Sequence, residues 1–119
     1  MKKMLGDEAR LRHILDSIEA IETYTEGFGI QQFLKDELVK HAVLSRFTVI
    51  GEAANHHSDK LKEKYNDIDW KEVVALRNVI VHEYFIVDYS IVWNIIENFI
   101  QPLRFIIEKI LNNEFNTNK

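Results

Sequence analysis

The sequence predicts an all-α domain of four to five helices, and three observations carry that reading. Nearly half of the 119 residues are apolar, with only four Gly and one Pro among them. That is too few chain breakers for the many turns of an all-β domain. Apolar residues recur at three- and four-residue spacing over long segments, as one face of a helix requires. A chain of this length supports one hydrophobic core. The expectation is therefore one helical domain over 1–112, then a polar, disordered tail over 113–119.

The first helix is expected from Asp7 to Thr25, where Leu11, Ile14, Leu15, Ile18 and Ile21 share a face. Gly27-Phe28-Gly29 ends it, because glycine readily takes the left-handed cap conformation. A second helical region is expected from Ile30 to His57, with a break near Asp36. Its apolar side is Phe33, Leu34, Leu38, Ala42, Val43, Phe47, Ile50 and Ala54. The polar stretch from Asn55 to Asp69 reads as a frayed helix end and a connection. Asp69 is the candidate N-cap of the next helix, with Glu72 three residues on as in a capping box. The last helix is expected from Asp88 or Ser90 to Asn112, kinked at Pro102. It carries one stripe through Val92, Ile95, Ile96, Phe99, Leu103, Ile106 and Ile110, and another through Trp93, Ile100 and Ile107. A terminal helix apolar on two sides is expected to meet a second subunit, so a homodimer is predicted.

Composition excludes several classes of function. The chain has no cysteine, hence no disulfide framework or thiolate metal site. No apolar run follows the N-terminal lysines, and none is long enough to span a bilayer. A soluble, cytoplasmic protein is expected. The net charge of −4 is not that of a general nucleic-acid binder, so any such chemistry must rest on a local cluster of cations.

The segment Arg77-Asn78-Val79-Ile80-Val81-His82-Glu83-Tyr84 concentrates the chemistry. It sets a fixed cation, a titratable base and a phenol within eight residues, separated by an apolar run. An arginine that holds a phosphate beside a histidine that moves a proton is sufficient in principle to cleave RNA without metal. Five residues of ideal helix rotate about 500°, leaving Arg77 and His82 about 140° apart. Either the helix ends before His82, or a two-fold axis completes the site with a second subunit.

These residues resemble the HepT-like toxins of the HEPN superfamily, whose signature Arg-x-x-x-x-His-x-Tyr is met by Arg77, His82 and Tyr84. Further landmarks occur in the family's order. They are Asp7 with Arg10-Leu11-Arg12-His13-Ile14-Leu15, then Ile50-Gly51-Glu52-Ala53-Ala54, Trp70, Asp88, Trp93 and Pro102-Leu103. The family often has proline shortly before the tryptophan, which the segment Tyr65–Trp70 lacks. That departure touches a connection and not the motif.

The resemblance implies an up-and-down HEPN bundle and a composite site in a dimer cleft. It implies an RNA endonuclease that is the toxin of a type VII-like toxin–antitoxin pair. The partner would be a minimal nucleotidyltransferase antitoxin that adds AMP to Tyr84. Arg77 and His82 would be catalytic, with Asn78 and Glu52 supporting them, and neither metal nor other cofactor is expected. The alternative is a non-catalytic helical module that binds nucleotide or docks a nucleotidyltransferase.

Blander readings fit the other polar residues. His56 and His57 point about 100° apart on a helix and have no ligand at four-residue spacing, so metal binding is not expected there. His13 and His41 read as solvent-edge positions, and Trp70 and Trp93 as core anchors. Lys60, Lys62 and Lys64 read as a solvated loop that can add local positive charge for RNA.

Overall fold

The computed structural model describes residues 2–79 and 87–115, with backbone alone for 2–5. The described residues form helices α1 (Lys2–Tyr24), α2 (Ile30–Lys35), α3 (Glu37–Asn55), α4 (Asp59–Lys64) and α5 (Trp70–Ala75). A 3₁₀ turn at Leu76–Asn78 ends α5. Helix α6 (Tyr89–Ile95) passes through a π-helical turn (Ile96–Ile100) into α7 (Gln101–Phe115). The fold is all-α, and no strand occurs among the described residues.

Contacts between helix ends fix the topology. Near the start of α1, Asp7 accepts from the Ser58 backbone just past α3, while Tyr24 at its far end meets Arg46. Helix α1 therefore runs antiparallel to α3. Near the start of α5, Trp70 packs edge-on against His57, and Gly51 of α3 meets the backbone of Arg77. Helix α5 thus runs antiparallel to α3 as well. Glu19 and Glu22 near the end of α1 pair with Arg104 near the start of α7. Helices α1, α3, α5 and α6–α7 alternate in direction, and α2 and α4 are short links.

Each helix faces inward as its spacing dictates. Leu11, Ile14, Ile18 and Ile21 of α1 meet Val43, Phe47 and Ile50 of α3, and Ile107 and Ile110 of α7, all fully buried. Phe33 of α2 is buried against Tyr89 and Trp93 of α6. Trp70 and Trp93 both lie in the core.

The break at Asp36 and an irregularity just before Pro102 fall where the sequence reading puts them, whereas α4 and the outer ends of α1 and α7 differ from it. Asp36 accepts from Val39 N and restarts the helix as α3. The new phase turns Leu38 out to 80 % exposure and Val39 and Val43 inward. The stretch read as a connection contains α4, capped by Ser58, whose hydroxyl accepts from Leu61 N. Leu61, Tyr65 and Ile68, at i, i+4 and i+7, are buried and hold α4 and its exit down. The π turn directly precedes Pro102, which has no N–H for Asn98, so the helix changes register there and continues. Helix α1 begins at Lys2, and α7 runs three residues past Asn112 to Phe115. Residues 116–119 lie outside the described residues.

Candidate functional site

Helix α5 exists because Asp69 caps it, accepting from Lys71 N and Glu72 N, and because Trp70 and Val73 are buried. It ends where the apolar β-branched run begins, since Val79 and its neighbours are poor helix formers. The last turn tightens to 3₁₀ geometry at Leu76–Asn78, which places Arg77 on a helix end and not on a regular α-helical face. The ideal-helix separation of Arg77 from His82 therefore does not apply. His82 and Tyr84 lie outside the described residues.

What positions Arg77 is Gly51. A Cβ on Gly51 would stand 2.7 Å from Arg77 N, 2.8 Å from Arg77 Cβ and 2.8 Å from the Val74 carbonyl oxygen. Only a residue without a side chain lets α5 and its 3₁₀ turn approach α3 so closely. The next residue, Glu52, points outward and accepts a hydrogen bond from Arg77 Nη1 at 3.2 Å. Glu52 is half exposed and Arg77 about a third exposed. An ion pair this wet contributes no more than about 1 kcal/mol. It orients the guanidinium without locking it, so an incoming phosphate can take the arginine's N–H donors in place of the carboxylate.

The structure thus brings Glu52 and Arg77 together and sets Asn78 beside them, exposed, at the mouth of a neighbouring groove. It separates the two adjacent histidines. His56 is exposed and its Nε2 lies 3.6 Å from Glu52 Oε1, one turn back along α3. His57 is buried against the Trp70 ring, and burial lowers its pKa to about 4. Among the described residues no group of three His, Asp or Glu side chains converges as metal ligands would.

Sequence reasoning missed Lys71 and Asn55 as neighbours of this site, and it read His56, Arg10, His13 and Lys62 without placing them beside Glu52 and the Arg77 turn. His56 joins Glu52, which stands four residues before it on α3, so the reading that no ligand-type residue lies at four-residue spacing from this histidine is wrong. Arg10 and His13 of α1 line an open cleft of about 440 Å³ with Glu52 and His56. Lys62 and Lys71 line a second groove with Asn55 and Asn78. No local pattern announces these last residues, because four separate elements bring them together.

The model of the ribonuclease HepT-like family matches residues 14–110, a span that includes α3, the Arg77 turn and the whole motif. The chain belongs to the HepT-like family of HEPN ribonucleases. HepT-like relatives are similar over most of this chain. One from Methanocaldococcus jannaschii, named as a gamma-glutamylcyclotransferase and candidate RNase, is 38 % identical over 92 % of this chain and 49 % of its own. This chain spans about half the length of that relative. A second protein of that organism, named as a candidate RNase, is 30 % identical over 82 % of this chain and 89 % of its own. A Thermococcus cleftensis protein named as a probable ribonuclease HepT is 31 % identical over 84 % of this chain and 91 % of its own. No solved structure matches. No described helix is long and apolar enough to cross a membrane.

Proposed function

We propose that this HepT-like protein is a metal-independent endoribonuclease and the toxin of a toxin–antitoxin pair. The observation that carries the proposal is the placement of Arg77. It is presented on a helix-ending turn by a half-exposed carboxylate, directly before the segment that holds His82 and Tyr84 at the family spacing. The names of the relatives point to the same chemistry.

In the proposed reaction, which is transesterification or hydrolysis, Arg77 holds the scissile phosphate and offsets charge developing on its oxygens. His82 takes the ribose 2′-hydroxyl proton or protonates the leaving oxygen. In a homodimer the second His82 supplies the complementary acid or base. Asn78 donates a further hydrogen bond to the phosphate, and Glu52 sets the direction of Arg77. The same anion pocket accounts for neutralisation. AMP transferred from ATP to the Tyr84 hydroxyl by a nucleotidyltransferase antitoxin, with pyrophosphate leaving and the phenol proton released, adds a phosphodiester two residues from His82 in sequence, which engages Arg77 and excludes RNA.

The test is cleavage of total RNA or tRNA by antitoxin-free protein in EDTA. Wild type is expected to cut, His82→Ala to be inactive, and Arg77→Ala to lose about 10²–10³ in kcat, as for loss of a charge-stabilising donor. An inert wild type, or an equally active His82→Ala, leaves the non-catalytic docking module as the better reading. Mass spectrometry of protein made with its antitoxin is expected to find AMP on Tyr84. AMP on another residue would refute that placement.

A further inference from the structure

Next to the Arg77 turn lies an open groove of about 490 Å³ between the end of α3, α4 and α5, within the size range of small-ligand sites. Lys71, Val74 and Ala75 of α5, at i, i+3 and i+4, share a face that lines it, and Asn78 joins them from the 3₁₀ turn. Asn55 and Lys62 close the other side. The Lys62 ammonium leans over the last turn of α3, 3.5 Å from the Asn55 carbonyl oxygen. No carboxylate lines the groove. Among the described residues no ion pair engages Lys62 or Lys71, whereas nearby Lys64 is held by Glu114 at 2.7 Å. In a chain of net charge −4, two lysines facing one groove without a counter-charge are the local cluster an anionic polymer requires.

We propose that this groove is the path of the RNA strand beside the scissile phosphate, with Lys62 and Lys71 each holding a backbone phosphate. The proposal rests on the ribonuclease reading of Arg77 and His82 and extends it to substrate binding. Asn78 ends the groove at the motif, so a strand whose scissile phosphate sits on Arg77 continues directly into it. Lys71 and Asn78 are about 12 Å apart along the axis, allowing for the greater rise of the 3₁₀ turn. That distance takes about three nucleotides at the rise of a stacked strand. The apolar floor of Val74 and Ala75 carries no base-specific donor. Asn55 and Asn78 each offer an amide donor and acceptor at opposite ends. Such a groove reads the backbone in preference to the sequence, and it suits a single strand more than a rigid duplex.

The experiment is binding of a short labelled oligouridine to the full chain carrying His82→Ala, by fluorescence anisotropy over a salt series. Each phosphate contact on a single strand contributes about 0.7 to the slope of log K against log salt. Adding Lys62→Gln and Lys71→Gln is expected to weaken binding at least about tenfold and to flatten the slope by about 1.4. The matching pair of Arg substitutions is expected to restore the slope. Lys35→Gln, near the far end of α3 and about 20 Å from Glu52 by helix rise, is expected to leave it unchanged. With His82 intact, the Gln pair is expected to raise KM far more than it lowers kcat.

If wild type cleaves RNA but the Gln pair keeps the parental slope and KM, the groove proposal fails alone. If the Gln pair binds RNA normally but no longer binds the antitoxin, the groove is a protein-docking surface and the proposal fails. If the parent neither binds nor cleaves RNA, the ribonuclease reading and this proposal fall together. Circular dichroism that matches wild type ensures that loss of binding reports lost charge and not lost fold.

Discussion

His57 is 4 % exposed at the junction of α3 and α4, its ring edge-on to Trp70, and neither ring nitrogen has a hydrogen-bond partner among the described residues. Burial is the main reason its pKa falls from 6.5 to about 4. The Asp7 carboxylate opposes the shift, while Lys62 and Arg10 add to it. In the unfolded chain the same imidazole protonates below about pH 6.5, so the unfolded state binds more protons between pH 6.5 and 4. Stability is therefore full above about pH 6.5, falls as pH drops toward 4, and levels off below it as far as His57 is concerned. The total is about 3 kcal/mol. Urea unfolding across this range is expected to show that loss in wild type and a flatter profile in His57→Phe. An equally steep profile in the variant would assign the acid lability to carboxylates. His57 thus works for the fold and His56 stands at the site, a division invisible in the adjacent pair of letters.

At the scale of the element, the contact of α3 with α5 sets the arginine. Replacing Gly51 by Ala improves helix propensity by about 1 kcal/mol, which taken alone predicts a more stable protein. The added Cβ, however, stands under 3 Å from backbone and Cβ atoms of the Arg77 turn, which cannot swing aside as a flexible side chain would. Overpacking of this kind costs about 1–3 kcal/mol, so the balance is destabilising. Gly51→Ala is expected to lower unfolding free energy by up to about 2 kcal/mol and to impair RNA cleavage, because Arg77 moves off Glu52. A stabilised variant with full activity would show that the close approach of the two helices is not required.

At the scale of the whole molecule, the stripe through Trp93, Ile100 and Ile107 is spent on the core of one chain. Ile95, Phe99 and Ile106 are only partly covered, and Ile91 and Phe105 are 54 % and 71 % exposed. Leu76, Val79, Ile95 and Phe99 also border an apolar hollow of about 360 Å³ beside the Arg77 turn. A second copy seated on this side would cover the apolar surface and bring two Arg77 turns toward one cleft, which is why we propose a homodimer. Sedimentation equilibrium is expected to return twice the 14.1 kDa chain mass, and Ile91→Lys to weaken the association. A monomer at micromolar concentration would remove the second His82 from the proposed reaction.

The sequence by itself determined the all-α class, the breaks at Gly27 and Asp36, the cap at Asp69, the start of the last helix near Asp88, and the motif. These follow from spacing, capping chemistry and glycine freedom, which act over a few residues and can be read along the chain. It did not show α4, whose six residues carry little periodicity and depend on Ser58, Leu61 and their tertiary contacts. Nor did it show which histidine is buried, or that Lys62 and not Lys64 faces the groove beside Asn78. Tertiary structure decided those points, because burial and counter-charge come from elements distant in the chain. Arg77 stands between the two: its identity was legible in the motif, while its direction depends on Gly51 and Glu52, twenty-six and twenty-five residues earlier.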